Sequence, residues 1–322
     1  MAGLRHLKGA MDIYAQAIEV LLTQPQTQAW PALAELCHRA RSHKPIAWEF
    51  STTAAEAVGG RAEDAVPALG ALTCAHMALI LIDDLLDEDP RGAYRQLGSG
   101  RAANLASALF GLGLDILIKS EIRERERAVA AFGQLMLRTA YGQDLDVQNA
   151  QSEEAYWAVT RAKSSPYFGA GLYLGALCAG AEIGTTDRLK QFGELFGEIM
   201  QIHDDLNDCL ASPANVDWLQ GRSPLPILFA SRVAHPQQAL FIELRNQASD
   251  PLALAEAQSI LVSCGAISYC VRELMLRLAQ AERLLAGIVL TNPAPLAKLL
   301  ATLIAPVHNL FTKVGADIPL NL

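Results

Sequence analysis

Two stretches of the sequence place acids where chemistry could use them. DDLLD covers Asp83 to Asp87 and DDLND covers Asp204 to Asp208, so one acid spacing recurs about 120 residues apart. On a helix, residues i and i+4 share a face, while i+1 is turned about 100° away. Asp83 with Asp87, and Asp204 with Asp208, therefore aim paired carboxylates into one space, with Asp84 and Asp205 at its edge. Like charges so spaced cost a helix about 0.2–0.5 kcal/mol per pair, and more above an apolar cavity. One such cluster reads as a solvated helix end. Two, each ending an apolar run (HMALILI and LFGEIMQIH), call for a divalent cation. Oxygen-only ligands suit Mg²⁺, which keeps several waters and binds through a few carboxylates plus phosphates. Apolar helices above the acids would line a pocket for a hydrocarbon tail. A metal-held anionic head with a greasy tail describes a prenyl diphosphate.

The elements that must hold these acids read at helical period. Examples are Leu7 to Leu22, Trp30 to Arg41, Ala68 to Leu86, Arg127 to Ala140, Leu189 to Asp208, Leu252 to Cys264 and Tyr269 to Ile288. Breakers such as Gly59-Gly60, Asp89-Pro90, Gly98 to Gly100 and Gly221 to Pro226 separate them. No linker divides the chain, so residues 1–322 are expected to form one all-α domain, an antiparallel helix bundle around a deep apolar cavity. With 51% hydrophobic and 19% charged residues, disorder is excluded. A net charge of −8 argues against a nucleic-acid partner. The six cysteines form no CxxC pair and read as reduced thiols of a cytoplasmic protein. The N-terminus lacks the apolar core of a signal peptide. Ser164 to Ala181 carries no charge, but Ser, Pro and Gly dilute it, so a buried helix is expected rather than a membrane span.

With these motifs the chain resembles the trans-prenyl diphosphate synthases, the all-α class I isoprenoid synthases. The match runs from about Lys44 to Pro226. Between the acid motifs, GQDLDV (Gly142 to Val147) resembles the family's GQxxDL, and KSSPYFGAG (Lys163 to Gly171) its KT-containing helix. After the second motif, DWLQGRSPLP (Asp217 to Pro226) follows DxxxGKxTxP in register, with Pro224 in place of the threonine. His76 and Gln201 stand at the family's histidine and glutamine positions.

The resemblance implies that an allylic diphosphate ionises and isopentenyl diphosphate attacks the cation, lengthening the chain by one isoprene unit. It implies Asp83, Asp87, Asp204 and Asp208 as metal ligands for about three Mg²⁺ ions once diphosphate is bound. Asp84 and Asp205 would hold metal-bound waters. Arg91, Lys163 and Arg222 would clamp the allylic diphosphate, with Gln143, Asp146, Ser164 and Gln201 as further substrate contacts. Lys44 and His76 would meet isopentenyl diphosphate. The released diphosphate would take the proton, and a homodimer is the family expectation.

The sequence departs from that pattern near Lys44. Pro45 and Ala47 stand where the family's GGKRxRP carries arginines, and DPRG keeps only Arg91 of an arginine pair. Losing charged hydrogen bonds of about 1.5–3 kcal/mol each would weaken the second substrate. A terpene synthase that ionises without elongating, and a non-catalytic subunit of a heteromeric synthase, are therefore the alternatives. No aromatic residue stands four or five positions before Asp83, where Leu79 and Ala78 lie. A product of geranylgeranyl length or longer is expected, with Ala78→Phe shortening it.

Overall fold

The computed structural model describes residues 12–42 and 46–302, with no strand among them. The chain opens with α1 (Ile13–Leu22), α2 (Pro25–Ala29), α3 (Pro31–Ser42), a 3-10 turn (Ile46–Trp48) and α4 (Glu49–Ala57). Then come α5 (Val66–Leu86), a short α6 (Tyr94–Leu97), α7 (Ser99–Lys119) and α8 (Arg125–Val147). They are followed by α9 (Glu153–Lys163), α10 (Ser165–Cys178), α11 (Ile183–Cys209) and α12 (Val216–Leu219). The last four are α13 (Leu225–Arg232), α14 (Gln238–Arg245), α15 (Pro251–Ser263) and α16 (Ala266–Ala286).

Several of these starts are written in the local sequence. Asp12, Ser152, Asn215 and Asp250 accept backbone N–H groups that open α1, α9, α12 and α15. Proline occupies the first turn of α5, α10, α13 and α15. The periodic segments fall on observed helices within a few residues, save that residues 7–11 lie outside the described ones. Helix α7 is not among the segments named from the sequence, and the Gly98 to Gly100 breaker lies at its start.

α10 is the central helix, buried at every position but Phe168 and Cys178, and too short to cross a bilayer. By length and composition alone, Ala62–Leu86 and Ser99–Lys119 could do so. Both pack as bundle helices here. α5 and α7 lie antiparallel, with Gly70 beside Ile116 and a short connection at the aspartate end.

Beneath Asp83, Leu72, Ala75, Phe132 and Leu174 are at most 1% exposed and pack together across α5, α8 and α10. Side chains of an apolar interior close on one another to crystal-like density. The two candidate length positions also part company. Leu79 borders this packed strip, whereas Ala78 points the other way, into a cluster with Ala102 and Leu105 of α7. Ala78→Phe would therefore crowd α7 rather than shorten a product.

Candidate active site

The first acid trio ends α5, and Asp87 is its C-cap. Carboxylates at the negative end of a helix dipole gain nothing from the helix, so other groups must balance them. Lys163 and Arg222 do. Lys163 Nζ lies 2.8 Å from Asp83 and 2.5 Å from Asp146. Arg222 donates to Asp87 through Nη2, and its Nη1 is 3.8 Å from Asp146. Gln143 Nε2 donates to Asp83 Oδ1 at 2.9 Å.

Lys163 reaches so far because α8 and α9 touch backbone to backbone. A Cβ on Gly142 would sit 2.2 Å from the Lys163 amide nitrogen. The glycine of GQDLDV is thus a steric requirement of the site, and the adjoining Gln143 and Asp146 face what it brings near.

The second trio lies in the last two turns of α11 and is held differently. Asp205 is 4% exposed, and both its oxygens accept protein hydrogen bonds. One comes from the Leu225 backbone N–H at 2.8 Å and one from Gln201 Nε2 at 2.9 Å. Gln201 Oε1 in turn accepts from Ser164 Oγ at 2.6 Å. Asp205 therefore caps α13, so one lone pair on each of its oxygens already serves the fold. Gln201 and Ser164 likewise spend these groups on positioning.

Several of these residues line a cavity of about 190 Å³. Its walls include Asp87, Asp146, Lys163, Gln201, Asp205 and Arg222, together with Asp217, Asn149, Tyr156 and Thr160. The electrostatics are those of crowded acids with two cations among them. Burial and then Asp208 push the Asp204 carboxyl up to about 6. Its side chain remains accessible, so the surrounding cleft wall, more than contact, strips its water. Burial pushes Asp205 up to about 7 against the pull of the Leu225 N–H, Gln201 and Tyr156. Asp84, Asp208 and Asp217 are raised as well, each chiefly by burial. Burial alone would depress the Lys163 ammonium, but Asp83 and Asp146 outweigh it and keep it protonated.

Among the described residues no three acids or His/Cys side chains converge closely enough to cage a metal ion. The donor set is nevertheless carboxylate oxygen on two sides of one cleft. That fits a hard cation whose remaining ligands are waters and phosphate oxygens. Asp83 and Asp87 would hold it from one side, Asp204 and Asp208 from the other.

Two expected contacts, Arg91 and His76, stand apart from the cavity. Arg91 makes a two-pronged pair with Asp89, at 3.1 and 2.8 Å, with its side chain 84% exposed. It stays at the rim, where Asp84 and Asp208 feel its charge. His76 lies between Trp48 and Tyr167, ring centroids 6.0 and 5.6 Å away, and burial lowers its pKa. A ring disposed to be neutral grips a diphosphate poorly. Lys44 lies outside the described residues. Conversely, Asp217, Asn149, Tyr156 and Thr160 were not singled out. Asp217 opens the quoted DWLQGR motif and could have been. The other three are set by how α8 and α9 pack, which leaves no local signal.

Residues 43–261 match the family model described as polyprenyl synthetase. The chain belongs to the polyprenyl synthetase family. It is therefore a transferase of the prenyl diphosphate synthase class. The short chain isoprenyl diphosphate synthase of Methanothermobacter thermautotrophicus is 26% identical over 70% of this chain and 74% of its own. The geranylgeranyl diphosphate synthase of Methanosarcina mazei is 25% identical, over 67% and 71%. The same fold is seen in the geranylgeranyl pyrophosphate synthase of Corynebacterium glutamicum complexed with calcium and isoprenyl diphosphate. Its TM-score is 0.78 at 21% identity, covering 92% of this polyprenyl synthetase and 94% of the other chain.

Proposed function

We propose that this polyprenyl synthetase extends an allylic prenyl diphosphate with isopentenyl diphosphate in a magnesium-dependent reaction. One observation carries the reading: Lys163 and Arg222 line a cleft with Asp87 of the first trio and Asp205 of the second, poised between carboxylates and an incoming diphosphate. Bound Mg²⁺ supplies Lewis-acid neutralisation of the leaving diphosphate. Lys163 and Arg222 add fixed positive charge to the same oxygens, Arg222 with a planar two-pronged donor. Gln143 and Asp146 keep Asp83 and the two cations in place. The packed apolar side chains below keep water from the allylic cation. The released diphosphate takes the proton lost at each addition.

The finer features of the proposal are these. The metal is Mg²⁺, about three ions per site, a choice supported by the hard calcium ion named with the Corynebacterium relative. A homodimer is supported by Ile118, Leu137 and Tyr141, exposed by 51%, 66% and 59% along α7 and α8. The enzyme works in the cytoplasm and does not span the bilayer, as its acid-tipped, packed helices suit. No observation favours ionisation without elongation.

The test supplies Mg²⁺ with geranyl or farnesyl diphosphate, with and without isopentenyl diphosphate. A lengthened diphosphate only when both substrates are present is the expected result. Hydrocarbon or alcohol from the allylic substrate alone would replace the reading with a terpene synthase.

A further inference from the structure

Arg222 stands where the family pattern has a lysine, and the protein around it is built for the difference. A guanidinium is a flat fork whose nitrogens point in fixed directions, whereas an ammonium is a single point of charge. Here each nitrogen of the fork faces its own acceptor. Nη2 donates to the Asp87 carboxylate, and Nη1 faces Asp146 at 3.8 Å. Nε, set back from the tip, donates to Gln220 Oε1 at 3.1 Å. A lysine carries no donor at that place.

Gln220 is itself anchored. Its Nε2 donates at 2.9 Å to the backbone carbonyl of Asp87. Asp87 is the C-cap of α5, where carbonyls have no partner inside the helix. Asp87, Arg222 and Gln220 therefore close a ring, from carboxylate to guanidinium, from guanidinium to side-chain amide, and from amide to carbonyl. Behind the ring, Arg245 Nη2 donates to the Arg222 carbonyl at 2.6 Å, so backbone and side chain are both held.

We infer that Gln220 is a positioning residue that keeps the Arg222 fork aimed into the cleft while Asp87 changes partner. The inference rests on the diphosphate-binding role given to Arg222 above. Once Asp87 turns its carboxylate to a metal ion, Nη2 is free for a phosphate oxygen. The two hydrogen bonds of Gln220 use neither that carboxylate nor Nη2, so they persist through the exchange. They fix the plane of the guanidinium against the end of α5, and an oriented donor loses less freedom on binding than a loose one. Gln220 is exposed, so the same hydrogen bonds add little to the stability of the fold.

The experiment titrates the purified full-length protein with inorganic pyrophosphate in excess Mg²⁺, read by calorimetry. Gln220→Met keeps the length of the side chain and removes both hydrogen bonds. It is expected to weaken pyrophosphate binding by about three- to tenfold, with an unchanged urea midpoint. Made in an Arg222→Lys background, the same substitution is expected to have no further effect, because the Nε–H it served is gone. In the metal-free protein, the Arg222 Nε–H signal in NMR, identified by its loss in Arg222→Lys, should exchange with water faster once Gln220 is replaced. Unchanged pyrophosphate affinity in Gln220→Met overturns the inference. So does an equal loss in the lysine background, which would mark an effect that bypasses Arg222. An Arg222→Ala protein that binds pyrophosphate as tightly as wild type overturns instead the clamp role on which the inference rests.

Discussion

The two acid trios share a spacing but not a way of being held. The first sits at the end of α5 and is balanced by cations from elsewhere in the chain, Lys163 and Arg222. The second sits at the end of α11, where Arg91 at the rim moderates Asp208 alone. Its middle acid, Asp205, is spent on capping α13, whereas Asp84 stands near the Ala93 backbone at the edge of the cleft. One motif therefore yields two devices. The first trio is an exchange point, where metal and diphosphate can take over from existing ion pairs. The second is a fixed wall, tied by its buried member to the helix that follows.

The largest effect should come from removing a ligand on either side. Asp83→Ala and Asp204→Ala should each lower turnover by about a thousandfold or more, since several kcal/mol of leaving-group stabilisation are lost. If only one of them mattered, the two-sided site would be wrong. Product assay under saturating Mg²⁺ decides it.

Next in size is the middle acid. Asp205→Ala should destabilise the metal-free protein by about 0.5–2 kcal/mol, as lost helix caps do, seen as a lower urea midpoint. Asp84→Ala should leave that midpoint nearly unchanged. Equal effects of the two would erase the contrast drawn here.

The second trio also predicts a pH trend. The folded carboxyls of Asp204 and Asp205 hold protons up to about 6 and about 7, against an ordinary value of 3.8. Between these limits the folded state binds more protons than the unfolded one, so stability falls as pH rises. The metal-free protein should therefore lose stability from about pH 4 through about pH 7. Asp204→Asn should flatten part of that slope in denaturation measured at several pH values.

The smallest effect belongs to the rim. Arg91→Ala should change the Michaelis constant for the allylic substrate by less than about fivefold, because an exposed pair is worth only about 0–1 kcal/mol. A much larger change would place Arg91 inside the clamp, beside Lys163.

Much of this was legible in the residues themselves. The long periodic helices and the repeated trios announce themselves through spacing, and the family resemblance adds Lys163 and Arg222. What stayed hidden depends on neighbours distant in sequence. Asp205 became a cap because α13 begins beside it, and no local pattern says where α13 will lie. Ala78 and Leu79 are adjacent, yet they face different clusters because α7 and α8 flank α5 on different sides. Arg91 looked like a clamp residue until its own neighbour Asp89 claimed it. α7 was not singled out, because glycines that admit a neighbouring ring cannot be told in sequence from glycines that turn a chain.

The segment from Asp217 to Pro224 illustrates what such ties accomplish together. Asn149 and Arg245 both donate to the Gly221 carbonyl, and Arg245 also grips that of Arg222. Gln220 and Arg222 hold Asp87 from the same stretch. A span with little regular structure is thereby fastened at several points, to α14, to the C-cap of α5 and to the loop after α8. Its guanidinium arrives at the cleft already aimed, so catching the substrate demands little further ordering of the chain.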